Sequence, residues 1–185
     1  MYAKIVNEQI QTIASLKAEY PNTSFPSPLP NEHDGWQKVQ QPTLAEGELV
    51  TKDVEFIDGT PFFTKRGLTR EEKLSYLNEE YEAILDGGIT VNNIFIATRE
   101  RDRGLINGAV TRALLDNDDT KTYPYFPTGA DAITLTNAQY KAIGSAVALH
   151  TQNCLQASDT IRLNIDDYTT YPAIKTALKD AYNAL

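Results

Sequence analysis

The sequence predicts an α+β chain in two parts: a small β-rich module over residues 1–66 and a mostly helical domain with a short β-hairpin over residues 67–185. Three observations predict it. Strand formers Val50, Val54, Phe56, Phe62 and Phe63 surround Asp58-Gly59, a turn dipeptide in which glycine takes positive φ cheaply. Two capping boxes, Thr69-Arg70-Glu71-Glu72 and Thr136-Asn137-Ala138-Gln139, each open a run with apolar residues three and four apart, the period of a helix face. The change from the first pattern to the second falls between Arg66 and Thr69. There is no internal repeat and no low-complexity tract.

Taken in order, Met1 to Val6 reads as a strand. Gln11 to Tyr20 places Ile13, Leu16 and Tyr20 on one face of a short helix, which Pro21 stops. Pro21, Pro26, Pro28 and Pro30 then predict an ordered or semi-rigid loop to Asp34, with Phe25 anchored in the first core. Gly35 to Gln40 reads as a strand around Trp36 and Val39, and Glu48 to Thr64 as the hairpin turning at Asp58-Gly59. The helix after Thr69 carries Leu74, Leu77, Tyr81 and Ile84 and ends at Gly87-Gly88. That stripe is the candidate oligomer interface. Ile89 to Thr98 forms a second hairpin turning at Asn92-Asn93. Arg99 to Leu115 is a helix with Ile106, Ala109, Ala113 and Leu114 inward, and Asp116 to Asp131 is a polar, Tyr/Pro-rich loop. Ala132 to Leu135 is a short strand. The next helix carries Tyr140, Ile143 and Val147 among small residues that permit close helix approach, Gly144 among them. Ser158 to Asp167 fits either period and is read as helical. Pro172 sits at the start of a last helix, with Ile174, Ala177, Leu178, Ala181 and Leu185 inward.

Composition narrows the function. Apolar residues at 41% and charged residues at 23% fit a globular chain rather than a disordered one. The net charge of -8 and the lack of a dense Lys/Arg run argue against nucleic acid and against an anionic membrane surface. No apolar run reaches transmembrane length, and residues 1–6 contain no secretory apolar region. The single cysteine, Cys154, excludes an intramolecular disulfide.

Candidate chemistry is sparse. His150 and Cys154 lie four apart on one helix face, the spacing at which an imidazole can activate a thiolate. Both lie on the apolar stripe and no third orienting group is visible, so a buried core pair is the preferred reading. Asp116-Asn117-Asp118-Asp119 has oxygen ligands but lacks the glycine and glutamate of an EF-hand loop. The two histidines lie far apart, with no Cys/His cluster around either. Arg99, Arg101 and Arg103 alternate with Glu100 and Asp102, as at a salt-bridged helix start. No phosphate loop, dinucleotide fingerprint or nucleophile elbow occurs. No catalytic residue, cofactor or metal is therefore expected.

An ordered set of segments carries a resemblance: Asp86-Gly87-Gly88-Ile89-Thr90-Val91-Asn92, Ile96-Ala97-Thr98, Arg103-Gly104-Leu105-Ile106-Asn107-Gly108-Ala109-Val110, Ile133-Thr134-Leu135-Thr136-Asn137-Ala138-Gln139, and Val147-Ala148-Leu149-His150-Thr151-Gln152-Asn153-Cys154. From Thr69 to Asp167 the chain resembles an uncharacterised domain family of tailed bacteriophages, found in tail fibre and tail-associated proteins. It departs from that pattern at Asn93, where glycine is usual, and over Tyr123 to Gly129, where prolines replace a tryptophan-containing strand. The segments Met1-Tyr2-Ala3-Lys4-Ile5 and Tyr20-Pro21-Asn22-Thr23-Ser24-Phe25-Pro26 are similar to the starts of small phage tail proteins. The resemblance implies a non-enzymatic virion structural protein of the baseplate or tail-fibre apparatus, made in the host cytoplasm. Its implied partners are other tail or baseplate proteins and further copies of itself as a homo-oligomer. The alternative is a tail-fibre assembly chaperone absent from the mature virion. His150 and Cys154 are then a packing pair.

Overall fold

β-Branched residues at Ile5, Ile10, Thr12 and Ile13 favour extended backbone. The computed structural model, which describes residues 1–6, 9–25, 29–127 and 131–185, places them in two antiparallel strands, β1 (Tyr2–Val6) and β2 (Gln9–Ala14). The first four residues of the helix expected over 11–20 are thus strand. Only Leu16–Glu19 is helical (α1), because Ser15 ends β2 and its Oγ accepts the Ala18 N–H at 3.2 Å. The three-and-four spacing of Ile13, Leu16 and Tyr20 arises across that junction, with Leu16 buried.

The chain is α+β and divides into two units, Met1–Leu68 and Thr69–Leu185. In the first, β3 (Glu32–His33) and β4 (Trp36–Lys38) complete a four-stranded sheet of order β2-β1-β4-β3. β3 occupies the end of the stretch expected as loop. Tyr2, Leu16 and Trp36 form the core, and Phe25 packs against it as expected. A hairpin of β5 (Glu48–Ile57) and β6 (Thr60–Gly67) turns at Asp58 and Gly59, with φ of 48° and 81°. Both central residues at positive φ is the turn whose twist matches the flanking strands. Pro26 and Pro28 of the expected loop lie outside the described residues, as do Thr128 and Gly129 of the later one.

The second unit opens with α2 (Arg70–Asp86), where both bonds of the Thr69/Glu72 capping box form. Leu77 on α2 is fully buried among Ala157, Ile161, Ile165, Ile174 and Leu178, and Leu74, Tyr81 and Ile84 pack against the same cluster. The stripe read as a candidate oligomer interface thus packs, within one chain, against that chain's own later helices, with Leu77 wholly inside and Leu74, Tyr81 and Ile84 partly buried. A two-heptad apolar face needs cover, and here distant parts of the same chain supply it.

The chain leaves the end of α2 through Gly88, where φ is +83° and a Cβ would stand 2.4 Å from the Phe95 ring. β7 (Ile89–Val91) and β8 (Ile94–Ile96) pair across Asn92 and Asn93, at φ 50° and 63°. Asparagine tolerates that left-handed turn without glycine. α3 (Glu100–Asp116) buries Ile106 and Ala113, with Ala109 and Val110 packed against the same core. Leu114, expected inward, is 61% exposed; Val110 takes the inward position.

The loop expected over 116–131 contains a strand, β9 (Thr122–Tyr125), paired with β10 (Ile133–Thr136). Pro124 is tolerated because β9 is an edge strand of a two-stranded sheet. Its outward carbonyl accepts the Tyr140 hydroxyl at 2.8 Å. α4 (Asn137–Leu163) opens with the second capping box and continues into a 3₁₀ turn at Ile165–Asp167, in line with the helical reading of 158–167. At 27 residues α4 is about 40 Å long. Its first half packs on α3, and its second half on α2 and on α5 (Tyr171–Asn183). Pro172 is the second residue of α5, and Leu185 lies beyond its end, 51% exposed rather than inward.

Where α3 meets α4, a Cβ on Gly144 would lie 2.4 Å from Val110 Cγ2. Gly144→Ala gains about 1 kcal/mol of helix propensity but overpacks the contact, a change that costs about 1–3 kcal/mol. The single variant is expected to be destabilised in urea. Val110→Ala in the same background should recover part of the loss, and a gain in stability by Gly144→Ala alone would contradict the close approach.

Candidate functional site

Two places in the second unit concentrate chemistry: a buried polar chain through His150 and an open groove beside α3. His150 is 5% exposed and Cys154 2%. His150 Nε2 lies 3.1 Å from the Leu85 carbonyl at the end of α2, and Nδ1 lies 2.7 Å from the Tyr182 hydroxyl on α5. A carbonyl only accepts, so Nε2 carries the proton; Nδ1 then accepts from the Tyr182 hydroxyl. The Leu85 carbonyl also accepts the Thr98 hydroxyl at 2.5 Å, and Thr98 Oγ1 in turn accepts the Gly88 N–H at 3.0 Å. Arg103 donates to the Thr98 carbonyl and pairs with Asp86 at 3.1 Å. One polar chain thus joins α5, α4, the end of α2, the segment between β8 and α3, and α3 itself.

The Cys154 sulfur is 3.8 and 3.9 Å from the two His150 nitrogens, resting on the ring rather than on one lone pair. Both nitrogens are already engaged, so neither is placed to take the thiol proton. Burial pushes the Cys154 thiol up to about 11, against a partial opposing pull from Arg103. These distances describe two buried side chains in packing contact. At neutral pH the thiol therefore stays protonated. Native alkylation of Cys154 at pH 7.5 is expected to be far slower than in denaturant, and rapid native reaction would contradict this burial. The sign with pH follows. A raised folded pKa adds stability that is full below the ordinary thiol value of about 8.5. That contribution is lost as pH rises towards about 11.

The acidic run after α3 is tied to lysines. Lys121 lies 2.7 Å from Asp116, and Lys141 lies 2.6 Å from Asp119. Asp116 is lowered to about 2, chiefly by Lys121 and then by the Tyr123 hydroxyl. Buried Asn137 donates to Asp116 and to the Asp118 carbonyl, fastening this loop to the start of α4. Among the described residues, no group of three or more His, Cys, Asp or Glu side chains converges to hold a metal ion. Among the described residues, no helix is long and apolar enough to cross a membrane.

The groove lies along α3 and the end of β9. A cavity of about 200 Å³ is lined by Leu105, Ala109, Arg112, Tyr125 and Phe126. A hollow of about 420 Å³, which shares Leu105 and Phe126, adds Arg99, Arg101 and Asp102. Leu105 is 64% exposed and Phe126 74%. The Arg112 guanidinium stacks 3.5 Å from the centre of the Tyr123 ring, which fixes its direction. Arg99 pairs with Asp102 at 3.3 Å, as the salt-bridged helix start predicts. Arg101 and Arg112 have no carboxylate partner among the described residues. Sequence reasoning singled out Arg99, Arg101 and Arg103 but not the groove, because β9 was hidden in an expected loop. Thr98 was likewise missed; a threonine two residues after the Ile-Phe-Ile strand is a weak local signal.

A family model described as Domain of unknown function (DUF4376) matches residues 69–182, more than half of the chain. No curated protein and no solved structure matches.

Proposed function

The chain belongs to the DUF4376 family of domains of unknown function, and on that premise we propose that it is a structural component of a bacteriophage tail, acting through protein contacts in the baseplate or tail-fibre apparatus. The observation that carries the contact role is the groove, where exposed Leu105 and Phe126 adjoin arginines. Apolar and aromatic anchors beside arginine are the composition of protein interfaces. The ordered segments from Asp86 to Cys154 support the tail setting by their resemblance to tail-associated proteins. The burial of His150 and Cys154, with both ring nitrogens engaged inside the fold, supports a binding role over a thiol chemistry.

Peptide mass spectrometry of purified mature particles beside infected-cell lysate tests this. Peptides at fixed stoichiometry in the particles are the expected result. Peptides abundant in lysate and absent from particles would overturn it in favour of an assembly chaperone.

A further inference from the structure

We propose that the groove along α3 is the docking site for an acidic polypeptide segment of a partner protein, with an aromatic or aliphatic side chain seated against Leu105 and Phe126. This deepens the contact role proposed above and rests on that role, though not on a place in a tail.

Charge complementarity selects the occupant. The whole chain carries a net charge of -8, yet the groove is lined by Arg99, Arg101 and Arg112 against the single carboxylate Asp102. Asp102 already offsets Arg99, which leaves Arg101 and Arg112 unmatched at opposite ends of the Leu105 surface. Arg112 is held by its Tyr123 stack, so less freedom is lost when a carboxylate arrives. Leu105 and Phe126 supply the apolar anchor, and Gly104 and Gly108 on the same helix have open space beside their Cα atoms. A backbone can therefore approach closely.

The chemistry disfavours two other occupants. Nucleic acid would place many phosphates against an acidic protein while two unmatched arginines neutralise few of them. A strand added to β9 would need its outer edge, where the Pro124 carbonyl is already taken by Tyr140 and proline has no N–H.

The test uses the full chain, labelled with ¹⁵N, and three soluble probes: a random copolymer of glutamate and tyrosine, one of lysine and tyrosine, and a thymidine oligonucleotide. The acidic copolymer is expected to shift the amides of Leu105, Ala109 and Phe126, and its binding should weaken as salt rises. Arg101→Glu and Leu105→Ser alter exposed side chains, and each should weaken that binding at least tenfold with melting temperature unchanged. Phe126→Ser gives an independent check from the β9 side. Absence of binding, shifts outside the groove, equal binding of the basic copolymer or the oligonucleotide, or groove shifts that depend only on the protein's own concentration would each overturn the proposal. Particle mass spectrometry reads the tail assignment separately, so failure of one is distinguishable from failure of the other.

Discussion

Leu77→Ala is expected to lower the unfolding free energy by about 3–4 kcal/mol, as for other fully buried leucines. Leu77 is 0% exposed and lies where α2, α4 and α5 meet, among side chains that are themselves almost fully buried. Truncation removes about three methylene-sized groups from water-free packing and leaves a cavity, because helices joined on several sides relax little. Urea unfolding with an unchanged slope would measure the loss. Sedimentation of the folded variant should match the wild type. If Leu77→Ala instead altered association and left stability intact, α2 would present its stripe to another molecule and the burial described here would be wrong. Glu79→Gln, at an exposed position two residues along the same helix, is the neighbouring control, expected to change stability by less than about 0.5 kcal/mol.

The same residue shows what sequence could and could not reveal. The α2 stripe was legible because its period is local, and the Thr69 box marked its start. What covers the stripe was not legible, since Ile161, Ile174 and Leu178 lie some eighty residues or more away in sequence. The hairpins at Asp58-Gly59 and Asn92-Asn93 were legible for the same local reason: few residues adopt positive φ cheaply. β2 was misread as helix because its apolar residues happen to continue a helical spacing into α1, while its β-branched content favoured strand. β9 was hidden by Pro124, which is acceptable only at a sheet edge, and edge position is a property of the assembled sheet. The groove depends on β9 lying beside α3, so it could not be found before the fold. Small residues around Gly144 did announce a close helix approach, and the Val110 contact is that approach. The adjacency of His150 and Cys154 was readable from the helix repeat; the partners that fix their roles, Leu85 and Tyr182, were not.

Those partners make His150 the second position of large effect. His150→Leu keeps much of the volume and is expected to cost about 2–3 kcal/mol, because the Tyr182 hydroxyl loses its acceptor and the Leu85 carbonyl loses one of two donors. His150→Ala adds a cavity and should cost about 4 kcal/mol. Tyr182→Phe leaves the opposite defect, a bare Nδ1, at about 1–2 kcal/mol. The double variant His150→Leu/Tyr182→Phe removes both partners of one hydrogen bond. It should be less destabilised than the sum of the singles by about 1 kcal/mol. Additivity within error would mean that the 2.7 Å contact contributes nothing specific. A second reading is independent of stability: ¹⁵N correlation spectra of the imidazole should show the proton on Nε2, as the Leu85 carbonyl requires. A proton on Nδ1 would break the chain at Leu85 and leave Tyr182 as acceptor. In either tautomer both ring nitrogens face partners other than the Cys154 sulfur, so His150→Leu should not raise the reactivity of Cys154 unless it also opens the core. Measuring alkylation of Cys154 in the folded His150→Leu variant separates the two cases, with slow reaction expected when packing alone protects the thiol.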